Sequence, residues 1–105
     1  MARHKLEEWS VYLIRTDSGA LYTGIAKDVD RRVDEHSTER GAKYLRGRGP
    51  LELVYRRRIG DRGLALRVEH AVKRLSKLKK EALVATRPSR GRLLSTVDLA
   101  RSVDT

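Results

Sequence analysis

The stretch Trp9-Ser10-Val11-Tyr12-Leu13-Ile14-Arg15-Thr16-Asp17-Ser18-Gly19-Ala20-Leu21-Tyr22-Thr23-Gly24 decides the expected fold. Trp9 to Arg15 is apolar and β-branched enough for a buried strand, Asp17-Ser18-Gly19 is turn chemistry, and Ala20 to Gly24 returns as the partner. A three-residue loop at Asp17 to Gly19 sets Thr16 opposite Ala20, Ile14 opposite Tyr22 and Tyr12 opposite Gly24. Tyr12, Ile14, Tyr22 and Gly24 then share one face, with the tyrosines diagonal neighbours about 7–8 Å apart at their β-carbons. Both phenols can reach one ligand. A two-residue loop would put them on opposite faces, because side chains alternate along a strand.

Outward from the hairpin, Asp28 is placed to N-cap a helix running through Val29, Arg32, Val33 and His36 to about Glu39. Arg32 and His36 are four apart and share a helical face, with Arg31 and Glu35 on another. Together they can act on a common group; separately they read as solvated surface residues. Residues 41–50 form a basic, glycine-rich loop. In it Lys43, Arg46 and Arg48 can hold phosphates while Tyr44 stacks on a base or sugar, or the tyrosine simply anchors a solubilising loop. Gly24 likewise either admits a nucleic-acid backbone or ends a strand.

Leu51 to Arg58 alternates as a third strand, with Leu51, Leu53 and Tyr55 on one side. From Arg62 to Lys79 the residues Leu64, Ala65, Val68, Ala71, Val72, Leu75 and Leu78 make one apolar helical stripe. Glu69 falls about 140° from Leu64, beside the stripe rather than on the far solvent face. Arg67, Lys73 and Arg74 suffice to explain it as an ion-pair partner, and Lys73 is also a candidate phosphate contact. Beyond Ala85 the periodicity fails. The expected organisation is one domain over 1–85 and a flexible basic tail over 86–105 that extends the grip on a polyanion, with a short turn of helix in its last residues.

Charge supports that partner class. The 105-residue chain carries a formal +10, with a pI near 10.5. Between Arg40 and Lys80 fourteen Lys or Arg face three acids, so the whole excess lies in one stretch. Nucleic acid leads the candidates. No apolar run approaches the roughly 20 residues of a membrane span, no signal peptide is visible, and a soluble, cytoplasmic protein is expected. With no Cys and only His4, His36 and His70, no structural zinc site is expected.

Taken together, Val11-Tyr12-Leu13, Tyr22-Thr23-Gly24, Arg32, His36 and Glu69 resemble the motifs of the GIY-YIG endonuclease superfamily, especially its small single-domain bacterial members. The resemblance covers roughly residues 9 to 84. It implies an α+β domain, a small three-stranded antiparallel sheet flanked by helices, and hydrolysis of phosphodiesters in DNA during repair or recombination. It also implies that Tyr12, Tyr22, Arg32, His36 and Glu69 form the catalytic set. Glu69 would hold one divalent ion, Mg²⁺ or Mn²⁺, Arg32 the scissile phosphate, and His36 a phosphate or leaving oxygen. Tyr12 or Tyr22, with slight preference for Tyr22, would take the proton of water.

Three departures bear on activity or subfamily rather than on fold. Ser10 precedes Val11 where the first motif has glycine, and Ile25 stands where relatives that incise damaged DNA carry lysine. Many GIY-YIG nucleases place an asparagine after the glutamate helix; this chain has no Asn, so phosphate orientation is looser or supplied by another group. The rival expectations are a noncatalytic nucleic-acid-binding module of the same fold and an RNA- or ribosome-associated basic protein. No obligate protein partner is evident.

Overall fold

The computed structural model describes residues 8–37 and 49–99. Strands β1 (Trp9–Arg15) and β2 (Leu21–Ala26) lead to helix α1 (Val29–Ser37), followed by β3 (Glu52–Gly60) and helices α2 (Arg62–Lys73), α3 (Lys77–Thr86) and α4 (Arg90–Thr96). The sheet order is β2-β1-β3, antiparallel throughout, so the first strand is central and the other two are edges.

The hairpin closes as the three-residue loop requires. Thr16 N donates to the Ala20 carbonyl at 2.9 Å, and Gly19 N to the Thr16 carbonyl at 2.9 Å. Gly19 takes φ +90°, a left-handed conformation that glycine adopts without steric cost. Tyr12 consequently pairs with Gly24, and Ile14 with Tyr22.

Alternation along β1 divides the interior in two. Val11 and Leu13 join Tyr55, Ile59, Ala65, Val68, Val72, Leu83, Leu93 and Leu94 on one face of the sheet. Tyr12 and Ile14 join Ala26 and Val29 on the other, with Tyr22, Val33, Leu51 and Leu53 packed around them. A strand buried on both faces has to be apolar continuously, which is why residues 11–14 show no polar alternation.

Three expectations are corrected. Leu51, Leu53 and Tyr55 do not share a side, because Leu13 pairs with Tyr55 and Ile14 with Leu53, leaving Val54 as an extra residue that flips the face. The long helix is two helices: α2 ends at Lys73, and Ser76 begins α3 by accepting from Lys79 N at 3.1 Å. Leu78, placed on the stripe, is 80 % exposed. Residues 90–97 are not a flexible tail, since Leu93, Leu94 and Val97 enter the larger core. The Pro88 carbonyl accepts from Tyr55 Oη (2.8 Å) and Arg57 Nε (3.0 Å), and Arg90 Nε donates to the Ile59 carbonyl at 2.6 Å.

An ion-pair clamp holds the hairpin to α3. Arg15 donates twice to Glu81, at 2.7 and 2.9 Å, while Lys77 Nζ donates to Glu81 at 2.8 Å and to the Gly19 carbonyl at 2.7 Å. The Arg15 and then the Lys77 hydrogen bonds hold the Glu81 carboxyl at about 2, against an ordinary 4.5. Because the folded value is the lower one, the stabilisation is complete above the unfolded carboxyl's range. It is withdrawn as pH falls from about 4.5 towards 2. Glu81→Gln is expected to lower stability at neutral pH and flatten this acid limb, as read by urea unfolding at neutral and acid pH.

Candidate active site

Gly24 shapes the site by what it leaves out. A Cβ there would stand 2.5 Å from Tyr12 Cζ, so the space of the missing side chain is filled by the Tyr12 phenol. The ring thus crosses the edge strand β2 towards the sheet margin. The room expected for a nucleic-acid backbone at Gly24 is, on this face, taken by the protein itself. Gly24→Ala must push that ring aside, an overpacking cost of about 1–3 kcal/mol. A fall in Tm of roughly 5–20 °C in a melting curve is the expected result.

At the margin α1 delivers its residues. Asp28 caps the helix by accepting from Arg31 N at 3.1 Å, and Val29 and Val33 seat it on the smaller core, which turns His36 inward. Tyr12 and His36, 1 % and 2 % exposed, share a hydrogen bond of 2.9 Å between Oη and Nε2. Tyr22 meets the same imidazole edge-on, with ring centroids 5.5 Å apart. Arg32 donates to Glu35 at 2.9 Å and also acts on the Tyr12 phenol. Glu35, expected on another face with Arg31, therefore tethers Arg32, as its i,i+3 spacing allows.

Glu69 arrives from the other side of the sheet on α2, which packs on β2 and β1. Its side chain is 16 % exposed and pairs with Lys73 Nζ at 3.6 Å. Its charge is felt at Tyr12. Burial first, then a charge on Tyr22, with Glu69 adding to both, push the Tyr12 phenol up to about 12, while Arg32 pulls the other way. Burial and then the Arg32 guanidinium push His36 below its ordinary value, so the imidazole is neutral at neutral pH.

Of the five residues singled out for catalysis, Tyr12, Tyr22, Arg32 and His36 gather where β2 and α1 meet, while Glu69, on α2 at the other face of the sheet, reaches them only through its charge on the Tyr12 phenol. Lys43, Tyr44, Arg46 and Arg48 lie outside the described residues. Among the described residues no three His, Cys, Asp or Glu converge as a ready-made metal cage. One half-buried carboxylate suits a hydrated hard cation such as Mg²⁺, which takes one or two carboxylates and keeps much of its water. It does not suit a structural zinc site.

Residues 8–82 match the family described as the GIY-YIG catalytic domain. The chain belongs to the GIY-YIG family. Its domain is therefore of nuclease type, a class that binds nucleic acid. Among curated proteins, this GIY-YIG chain is 52 % identical over 89 residues to the UPF0213 protein YhbQ of Salmonella typhimurium, covering 85 % of this chain and 89 % of that one. It is 53 % identical over 92 residues to a UPF0213 protein of Yersinia pseudotuberculosis, covering 88 % and 94 %. A UPF0213 protein from Bacillus halodurans, solved by NMR in solution, is 44 % identical and superposes with a TM-score of 0.50 over 75 % of this chain and 84 % of that one. Among the described residues no helix is long and apolar enough to cross a membrane.

Proposed function

We propose that this GIY-YIG protein is a metal-dependent DNA endonuclease, sensitive to the structure of its substrate and serving repair or recombination in the cytoplasm. One observation supports the reading: a buried Tyr12–His36 pair, Tyr22 and Arg32 come together from three elements, with the Glu69 charge acting on Tyr12 from a fourth. Structural ion pairs do not require two phenols and a neutral imidazole at that point.

Arg32 binds the scissile phosphate through its planar fork and supports the charge that builds on the phosphoryl oxygens. Glu35 holds that fork in place. Tyr22, half-buried where Tyr12 is closed off, acts as the phenolate and receives the proton of the attacking water, returning to phenol. Tyr12, protonated until about pH 12, orients the His36 ring instead. Neutral His36 is the donor we assign to the phosphate or the leaving oxygen. Glu69 would hold the divalent ion, whose chemistry is to neutralise phosphate charge and lower the pKa of bound water. Lys73, its weak 3.6 Å pair then exchanged, becomes a phosphate contact.

The test is incubation with labelled duplex, single-stranded, flap and four-way-junction DNA and one RNA, in Mg²⁺, Mn²⁺ or chelator. Metal-dependent cuts in DNA support the enzyme. Binding without cleavage across the panel supports the noncatalytic module, and a metal-independent preference for RNA supports the RNA-associated reading.

A further inference from the structure

Beside the candidate centre lies a second feature that the chemistry above leaves unused. A cleft of about 370 Å³ opens past the end of β2, lined by Trp9, Lys27, Asp28, Arg31, Arg32 and Glu35 among others. It shares Arg32 with the catalytic cluster, so whatever fills it lies next to the phosphate bound there. Trp9 is the chain's single tryptophan. One part of its indole packs against the larger core, and the ring carries Lys27 Nζ at 5.8 Å and the Arg62 guanidinium at 5.5 Å from its centroid.

The carboxylates of the cleft are already engaged. Asp28 caps α1, and Glu35 is held by Arg32 at 2.9 Å and Arg31 at 3.4 Å. The cations are not buried: Lys27, Arg31 and Arg62 are all exposed. A part-exposed indole flanked by exposed cations is the combination that holds single strands, the base stacking on the ring while lysine and arginine follow the phosphates. Stacking a base outweighs the exposed cation–π contact it displaces, and the displaced cation then stands beside that nucleotide's phosphate. Within continuous duplex each base face is covered by its neighbours, so the indole is open only to a nucleotide that is unpaired or extruded.

We propose that Trp9, with Lys27, Arg31 and Arg62, forms a subsite for one unpaired nucleotide next to the phosphate bound by Arg32. The proposal rests on the nuclease reading for its place in catalysis. It selects DNA with single-stranded character at the cut.

The single tryptophan reports on its own site. In chelator, so that no cleavage occurs, the whole chain is titrated with an oligothymidylate of about eight nucleotides, a fully abasic strand of equal length, and a blunt duplex, while anisotropy of the labelled DNA measures binding. Quenching of Trp9 emission by the oligothymidylate alone is expected. Trp9→Leu is expected to weaken oligothymidylate about tenfold relative to the abasic strand, with Trp9→Phe recovering part of the loss. Bound oligothymidylate that leaves the emission unchanged, or an abasic strand that quenches equally, overturns the subsite. Metal-dependent cleavage without quenching would remove the subsite and leave the nuclease centre, whereas quenching without cleavage on any substrate would leave the subsite and remove the nuclease reading.

Discussion

Glu69→Gln is expected to reduce cleavage by roughly 10³-fold, because a Lewis-acid ion contributes several kcal/mol of transition-state charge stabilisation and each 1.36 kcal/mol is tenfold in rate. The amide keeps the shape of the side chain but binds a hard cation poorly. DNA binding should be unchanged or slightly tighter, since removing one negative charge raises the attraction of a +10 chain for phosphate. If Glu69 serves only its 3.6 Å pair with half-exposed Lys73, the same substitution would change stability by at most about 1 kcal/mol and leave cleavage intact. Cleavage rates beside melting curves separate the two.

Arg32→Lys is expected to cost about 10²–10³ in rate, the usual consequence of losing one preorganised donor to a developing oxyanion. Charge is conserved, so the loss cannot come from weaker long-range attraction. What disappears is the fork: a guanidinium can hold Glu35 and present further N–H groups to phosphate, while an ammonium is a point charge. Affinity for DNA should fall only a few-fold. A rate loss matched by an equal affinity loss would make Arg32 a docking residue and not a catalytic one. Gel-shift titration together with single-turnover rates provides the comparison.

The hairpin was legible because parity is unforgiving: once Asp17-Ser18-Gly19 is taken as a three-residue loop, Tyr12 must oppose Gly24 and share a face with Tyr22. Arg32 and His36 followed from helical spacing and the Asp28 cap. The role proposed for Glu69 was not legible from periodicity, since α2 packs mainly with the opposite core and its carboxylate acts on Tyr12 only through its charge. It came from the family resemblance. The break between α2 and α3 was hidden because Leu75 and Leu78 continue the apolar stripe numerically, while Ser76 offered a cap that outcompetes helix continuation. Val54 could not be recognised as a bulge, because an inserted residue leaves no mark in an apolar strand. The start of helix α4 at Arg90 was hidden in the basic run read as flexible, with helix expected only in the last residues, although Ser89 as cap and the pair Leu93-Leu94 were its signal.

The most direct measurement is single-turnover cleavage of one labelled DNA in Mg²⁺ by the unmodified protein, Arg32→Ala and Glu69→Gln, with the bound fraction of each determined in the same tubes. Cleavage confined to the unmodified protein while all three bind is the expected result. Cleavage that persists in both variants, or that falls only as far as binding falls, would contradict a phosphodiesterase centre built on Arg32 and Glu69.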